Sequence, residues 1–167
     1  MMPWKPIYIP CPPSFTPEQV HAAREKWDRR FLDMAELVAS WSRDPSTKVG
    51  AVIADPQNRI VSLGFNGFPA GCNDDVSLYK NRERKYMRVV HAELNAILMA
   101  GSSAKECTLY CTLPPCAQCA AAAIQAGIVR VVFIRNDERE GRWGANWKEA
   151  KAMLIEADIS VRELEPS

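Results

Sequence analysis

The sequence predicts a three-layer α/β/α sandwich around a five-stranded mixed sheet. Short runs rich in Val and Ile alternate with segments whose apolar residues recur at helical spacing. The first two strand-like runs are joined by a turn and read as a hairpin. Each later one is reached through a helical segment, which places helices on both faces of one sheet. Of the 167 residues, 47% are hydrophobic, enough for a real core, so one domain over 1–167 is expected.

Residues 1–13 hold five prolines and should run extended. Thr16-Pro17-Glu18-Gln19 has the form of a helix start, with Thr as cap and Pro at the first helical position. Val20, Ala23, Trp27, Phe31, Met34, Leu37, Val38 and Trp41 then keep helical spacing up to Asp44-Pro45. Strands are expected at 49–54 and 60–65 around the turn Asp55-Pro56-Gln57-Asn58. Residues 66–90 read as a long functional loop with a short helix near Leu78–Arg84. Helices at about 92–100, 117–126 and 146–157 and strands at 107–111, 129–134 and 159–163 complete the order.

A net charge of +1 gives no bulk field toward nucleic acid or membrane, which argues against a polynucleotide substrate. No apolar run approaches the roughly 20 residues that span a bilayer. The segment Met1–Pro6 lacks the apolar stretch of a secretory signal. A cytoplasmic protein is expected, with its six cysteines as free thiols or metal ligands.

His91-Ala92-Glu93 opens one apolar helical segment, and Pro114-Pro115-Cys116-Ala117-Gln118-Cys119 opens the next. Residues two apart do not share a helix face, so His91 should sit at the helix start, where it and Glu93 can converge. Cys116 and Cys119, three apart at a helix start, can bring both thiols to one metal. The positive end of the helix favours their thiolates. One His and two Cys leave a zinc position open, as at a catalytic site. Glu93 is then the natural proton shuttle. Two plainer readings stand beside this one. Cys111 could close the set as a fourth ligand of a structural zinc, or Cys-x-x-Cys could be a redox pair. His21, inside the first helix, reads as a surface or packing residue.

Over roughly residues 20–163 the chain resembles the deoxycytidylate (dCMP) deaminases of the cytidine deaminase-like zinc superfamily. Four blocks carry the resemblance: Ser42–Ala51, Gly64–Asp75, His91–Ile97 and Pro114–Cys119. The resemblance implies that Zn2+ held by His91, Cys116 and Cys119, with Glu93 as catalytic residue, hydrolyses dCMP to dUMP and ammonia for thymidylate synthesis. It implies a homo-oligomer, typically a hexamer, activated by dCTP and inhibited by dTTP, each with Mg2+. Gly64, Phe65, Asn66 and Gly67 would serve that effector region, with Asn66 also near the substrate sugar. Asp74 and Asp75 can hold the effector's cation or simply solvate a loop. For a 5′-phosphate, Arg43, Lys48 and Arg135 are candidate cations at ends of expected strands. Arg82-Glu83-Arg84-Lys85, mixed in sign, reads as a solvated helix face. Phe65 stands where the family has Tyr or Trp. Trp143, in the unfamiliar stretch Gly141–Trp147, can wall the pocket or pack on a neighbour. Rival readings are a deaminase of cytidine, a pterin-like ring or a base in tRNA, and a zinc-stabilised nucleotide-binding module without turnover.

Overall fold

The structure, a computed structural model, describes residues 16–166, so the extended segment expected over 1–13 lies outside the described residues. Helix α1 spans Pro17–Ala39 and starts at a capping box: Thr16 accepts from the Gln19 N–H, and the Gln19 side chain accepts from the Thr16 N–H. Strands β1 (Gly50–Ala54) and β2 (Ile60–Phe65) form the hairpin. Asp55 closes its turn by accepting from the N–H groups of Gln57 and Arg59. Then come α2 (Arg82–Arg88), α3 (Ala92–Ala100), β3 (Thr108–Cys111), α4 (Ala117–Gln125), β4 (Arg130–Ile134), α5 (Glu140–Glu156) and β5 (Ser160–Leu164).

The strands make one five-stranded mixed sheet in the order β2-β1-β3-β4-β5. β1 pairs antiparallel with β2 and β3, whereas β3–β4 and β4–β5 are parallel. Alternate residues of each strand face opposite sides and feed two cores. Ala51, Ile53, Leu109, Cys111, Val131 and Phe133 pack under α3, α4 and α5. Val52, Ala54, Tyr110 and Val132 face the other way, against Phe31, Leu32 and Ala35 of α1. The three layers expected from the sequence are present.

Two segments depart from expectation. Residues 66–90 hold a 3-10 turn, Val76–Lys80, and then α2, which Asn81 caps by accepting from the Arg84 N–H. The single helix expected near 78–84 is therefore two short elements. Helix α5 begins at residue 140, ahead of the expected 146. Gly141 and Gly144 lower helix propensity and read as a break. Trp143 and Trp147, one turn apart and half-buried, pack against the rest of the molecule and override it.

Two glycines let helices approach the sheet. A Cβ on Gly50 would lie 1.9 Å from the Ala35 carbonyl oxygen of α1. One on Gly64 would lie 2.2 Å from the Ala92 carbonyl oxygen and 2.5 Å from the Ala96 nitrogen of α3. The bare backbone of Gly64 thus seats α3, and with it the residue at its start, against β2.

Candidate active site

His91 is the N-cap of α3, with extended dihedrals of φ −71° and ψ 154°. Cys116 is the N-cap of α4, at φ −74° and ψ 166°. Both residues leave the helical conformation just where their helices begin, and the two helix starts meet. The Nδ1 of His91 is 3.4 Å from each of the Cys116 and Cys119 sulfurs. The three ligand atoms all lie within 4.8 Å of one another. A tetrahedral zinc with bonds of about 2.0–2.3 Å holds its ligand atoms roughly 3.5 Å apart, so the set fits the metal. Among the described residues no fourth His, Cys, Asp or Glu joins the cluster. Cys111 is fully buried beneath it, and burial pushes its thiol well up.

The electrostatics suit metal binding. A hydrogen bond from the Cys119 thiol holds Cys116 low as a thiolate, against the desolvation of burial and with further help from His91. That same hydrogen bond, with burial, pushes Cys119 up, so the pair shares one proton. Two helix N-termini add positive potential at the sulfurs. Glu93, in the first turn of α3, is buried. Burial pushes its carboxyl up to about 7, the range in which a carboxylate both accepts and returns a proton near neutral pH.

His91, Cys116 and Glu93 line a cavity of about 750 Å3. Its walls include Asn66, Tyr86 and Trp143, and it carries the cations Lys80, Arg82, Lys85, Arg139 and Arg142. Lys85 is paired with Asp44 at 2.6 Å. Among the described residues, Lys80, Arg82, Arg139 and Arg142 have no carboxylate at ion-pair distance. Arg82 and Arg142 both stand over the ring of Tyr86, at 5.4 and 5.8 Å from its centroid, and Arg142 also over Trp143 at 5.4 Å. Tyr86 and Trp143 meet edge to face.

Asn66 is in the wall but works inward. Its Oδ1 accepts from the Val49 N–H at 2.7 Å, and its Nδ2 donates to the Thr47 carbonyl at 2.9 Å and to Asp44 at 3.4 Å. One Oδ1 lone pair remains for a ligand. Arg43, Lys48 and Arg135 are not among the cavity residues. Arg43 reaches toward Asp74 at 3.9 Å, Lys48 donates to the Ser40 carbonyl, and Arg135 pairs with Asp137 and Glu165 beside a second cavity of about 560 Å3. In the 64–75 block, Phe65 is partly exposed against the edge of Trp41, and Gly67 bridges to Val90. Asp74 accepts from the Tyr79 hydroxyl, and Asp75 caps the 3-10 turn through the Ser77 N–H. Sequence reasoning missed the cations of residues 80–85 and 139–142. The available signal was the Arg82/Tyr86 pair one helical turn apart, followed by Arg142-Trp143, cations placed to stack on aromatic rings. Lys85, read as part of a solvated face, is only 8% exposed.

The family described as "Cytidine and deoxycytidylate deaminase zinc-binding region" matches residues 25–135. The chain belongs to this deaminase family. As a member it is an enzyme, and its His-Cys-Cys cluster is that of a zinc-binding deaminase domain. It is 44% identical over 147 residues to the deoxycytidylate deaminase of Mus musculus, spanning 84% of this chain and 81% of that protein. It is 47% identical over 137 residues to an uncharacterized deaminase of Aliivibrio fischeri, spanning 81% of this chain and 92% of that one. Crystal structures of the dCMP deaminase from cyanophage S-TIM5 share the fold. The apo form has a TM-score of 0.66 at 24% identity, covering 90% of this deaminase and 100% of that chain. A second form of the phage protein, in complex with dCMP and dUMP, gives 0.64. Among the described residues no helix is long and apolar enough to cross a membrane.

Proposed function

We propose that this deaminase, on a single domain, hydrolyses dCMP to dUMP and ammonia, with zinc held by His91, Cys116 and Cys119 and with Glu93 as the proton carrier. The observation that carries the reading is the union of two features in one cavity. His91 and Cys116 of the metal cluster, and Glu93, line the same cavity as four cations without a carboxylate partner among the described residues. A neutral nucleoside has no use for those cations, whereas a 5′-phosphate does. Deoxycytidylate deaminases among the relatives, and the phage enzyme that holds dCMP and dUMP, support the same choice.

A zinc ion held by His91, Cys116 and Cys119 would lower the pKa of water enough to supply a nucleophile near neutral pH. Glu93 takes the proton that this water gives up and passes it to ring nitrogen N3 as oxygen adds to C4. It then carries the second water proton to the amino group, which leaves as ammonia with the C4–N bond. The Glu93 carboxyl, poised at about 7, suits both directions of transfer. Asn66 keeps an Oδ1 lone pair for a sugar hydroxyl, and Trp143 and Tyr86 offer flat apolar surface to the nucleotide.

The same proposal includes supply of dUMP to thymidylate synthesis, a cytoplasmic hexamer, and control by dCTP and dTTP with Mg2+ near residues 64–75. These rest on the resemblance of that block. The test is turnover of dCMP, deoxycytidine, cytidine and dCTP by zinc-loaded protein, followed by ultraviolet absorbance. Effectors with Mg2+ are added in parallel, and light scattering gives the assembly. dCMP should be the preferred substrate. Glu93→Gln should keep one zinc per chain and lose about 100- to 10,000-fold in kcat. Faster turnover of an unphosphorylated nucleoside would remove dCMP as the substrate, and full activity in Glu93→Gln would remove the proton carrier.

A further inference from the structure

One buried ion pair in the cavity wall has no part in the chemistry above. Lys85 of α2 donates to Asp44 at 2.6 Å and to the Ser46 hydroxyl at 2.7 Å, with 10% of its side chain exposed and none of that of Asp44. Asp44 in turn organises the loop before β1. Its Oδ1 accepts from the N–H groups of Ser46 and Thr47 and from the Ser46 hydroxyl, and its Oδ2 accepts from Asn66. Thr47 also lines the cavity, and its hydroxyl accepts from the Arg139 guanidinium at 3.1 Å. Arg139 stands at the start of α5, its backbone N–H held by the Asn136 side chain. One continuous polar chain therefore runs from α2, through the loop, to a cation at the start of α5.

We propose that Lys85 is a positioning residue for the anionic end of the substrate: its buried pair with Asp44 fixes the loop whose Thr47 hydroxyl aims Arg139 into the cavity. The proposal rests on the nucleotide reading of the site. Lys85 itself is committed to Asp44 and Ser46, so it acts through Arg139 and not as a contact to phosphate. Desolvation costs a buried pair much of its gain, so such a pair is poorly explained by stability alone. Holding one geometry for a second group is a role its network of satisfied partners suits. No buried side-chain nitrogen or oxygen among the described residues lacks a hydrogen-bond partner, so the network is complete as it stands.

The test compares kcat and KM for dCMP and deoxycytidine in the zinc-loaded protein and in Lys85→Met, Lys85→Arg and Thr47→Val, with zinc content measured in each. Lys85→Met and Thr47→Val should raise KM for dCMP by about tenfold or more, the loss of a well-aimed charge-assisted hydrogen bond. Their kcat should change little, and deoxycytidine kinetics should be nearly unaffected, so the preference for the phosphorylated substrate shrinks. Lys85→Arg, which keeps the buried charge, should recover most of it. Thr47→Val leaves the ion pair intact and decides the matter if Lys85→Met does not fold. Equal losses on both substrates would make the pair merely structural and overturn the proposal. Loss of preference in Lys85→Met but not in Thr47→Val would mean that Lys85 touches the phosphate itself, which also overturns it. If the unmodified protein shows no preference for dCMP over deoxycytidine, the substrate reading fails first and takes this inference with it.

Discussion

At the scale of the residue, Asp44 shows how a buried charge makes stability depend on pH. Burial raises its carboxyl, but the Lys85 ammonium and the N–H and O–H of Ser46 outweigh that and hold it below the ordinary aspartate value of 3.8. The unfolded chain therefore binds this proton more readily than the folded one. The stabilisation is full above the unfolded value and is lost as pH falls through the lower, folded value. Melting temperature measured against pH should show an acid limb below about pH 4, and Asp44→Asn should flatten it. An unaltered limb in Asp44→Asn would assign the acid loss to other carboxylates. The zinc cluster is legible at this scale because few residue types bind zinc and because His91, Cys116 and Cys119 sit at recognisable helix starts. The cations are not. A Lys or Arg that lines a cavity and one that faces water look the same in sequence. Arg43, Lys48 and Arg135 were the choices at strand ends, while the fold brings Lys80, Arg82, Arg139 and Arg142 to the cavity.

At the scale of the element, the close seat of α3 on β2 is what holds His91 where the thiols can meet it. Gly64, assigned from resemblance to an effector region, has a packing duty in this fold. The added methyl of Gly64→Ala would fall 2.2 Å from a backbone oxygen of α3, with no flexible side chain to yield. The helix must shift, at a cost of about 1–3 kcal/mol or more. Zinc should then be held more weakly, which competition with a chelator measures. Unchanged stability and zinc retention in Gly64→Ala would show that α3 has more play than its contacts indicate. Most elements are readable from periodicity, α3 to the residue, because each strand and helix presents a regular apolar side to a core. The start of α5 is hidden because Gly141 and Gly144 argue against helix, while the packing that overrules them involves Trp143 and Trp147 and residues distant in sequence. The segment 76–88 is hidden for a related reason: its helices are short, and the buried partner of Lys85 lies 41 residues earlier at Asp44.

At the scale of the whole molecule, the two faces of the sheet are secured differently. The face under α3, α4 and α5 is held by a large apolar cluster, whereas the α1 face adds a buried ion network to its smaller one. Asp28 of α1 receives both guanidinium nitrogens of Arg130 at 2.7 Å, with the Tyr110 hydroxyl at 3.3 Å and Arg162 at 3.5 Å. One carboxylate thus ties α1 to β3, β4 and β5. Arg130→Met takes both close guanidinium bonds from that carboxylate, leaving Arg162 and the Tyr110 hydroxyl at longer range, and should cost up to about 3–5 kcal/mol, read as a fall in the urea midpoint. Adding Asp28→Leu should recover much of the loss, because the pair is then replaced by apolar packing. A double variant no better than the single would mean that the network contributes net stability of its own.

The cavity draws its zinc cluster from the starts of α3 and α4 and its cations from residues 80–85 and 139–142. On the proposed function, bond-breaking and substrate choice therefore have separate addresses in the chain. Inheritance can respell the second address without touching the first. If the cations choose the substrate as proposed, a lineage built on this plan is free to change which nucleotide it accepts while its reaction stays the same.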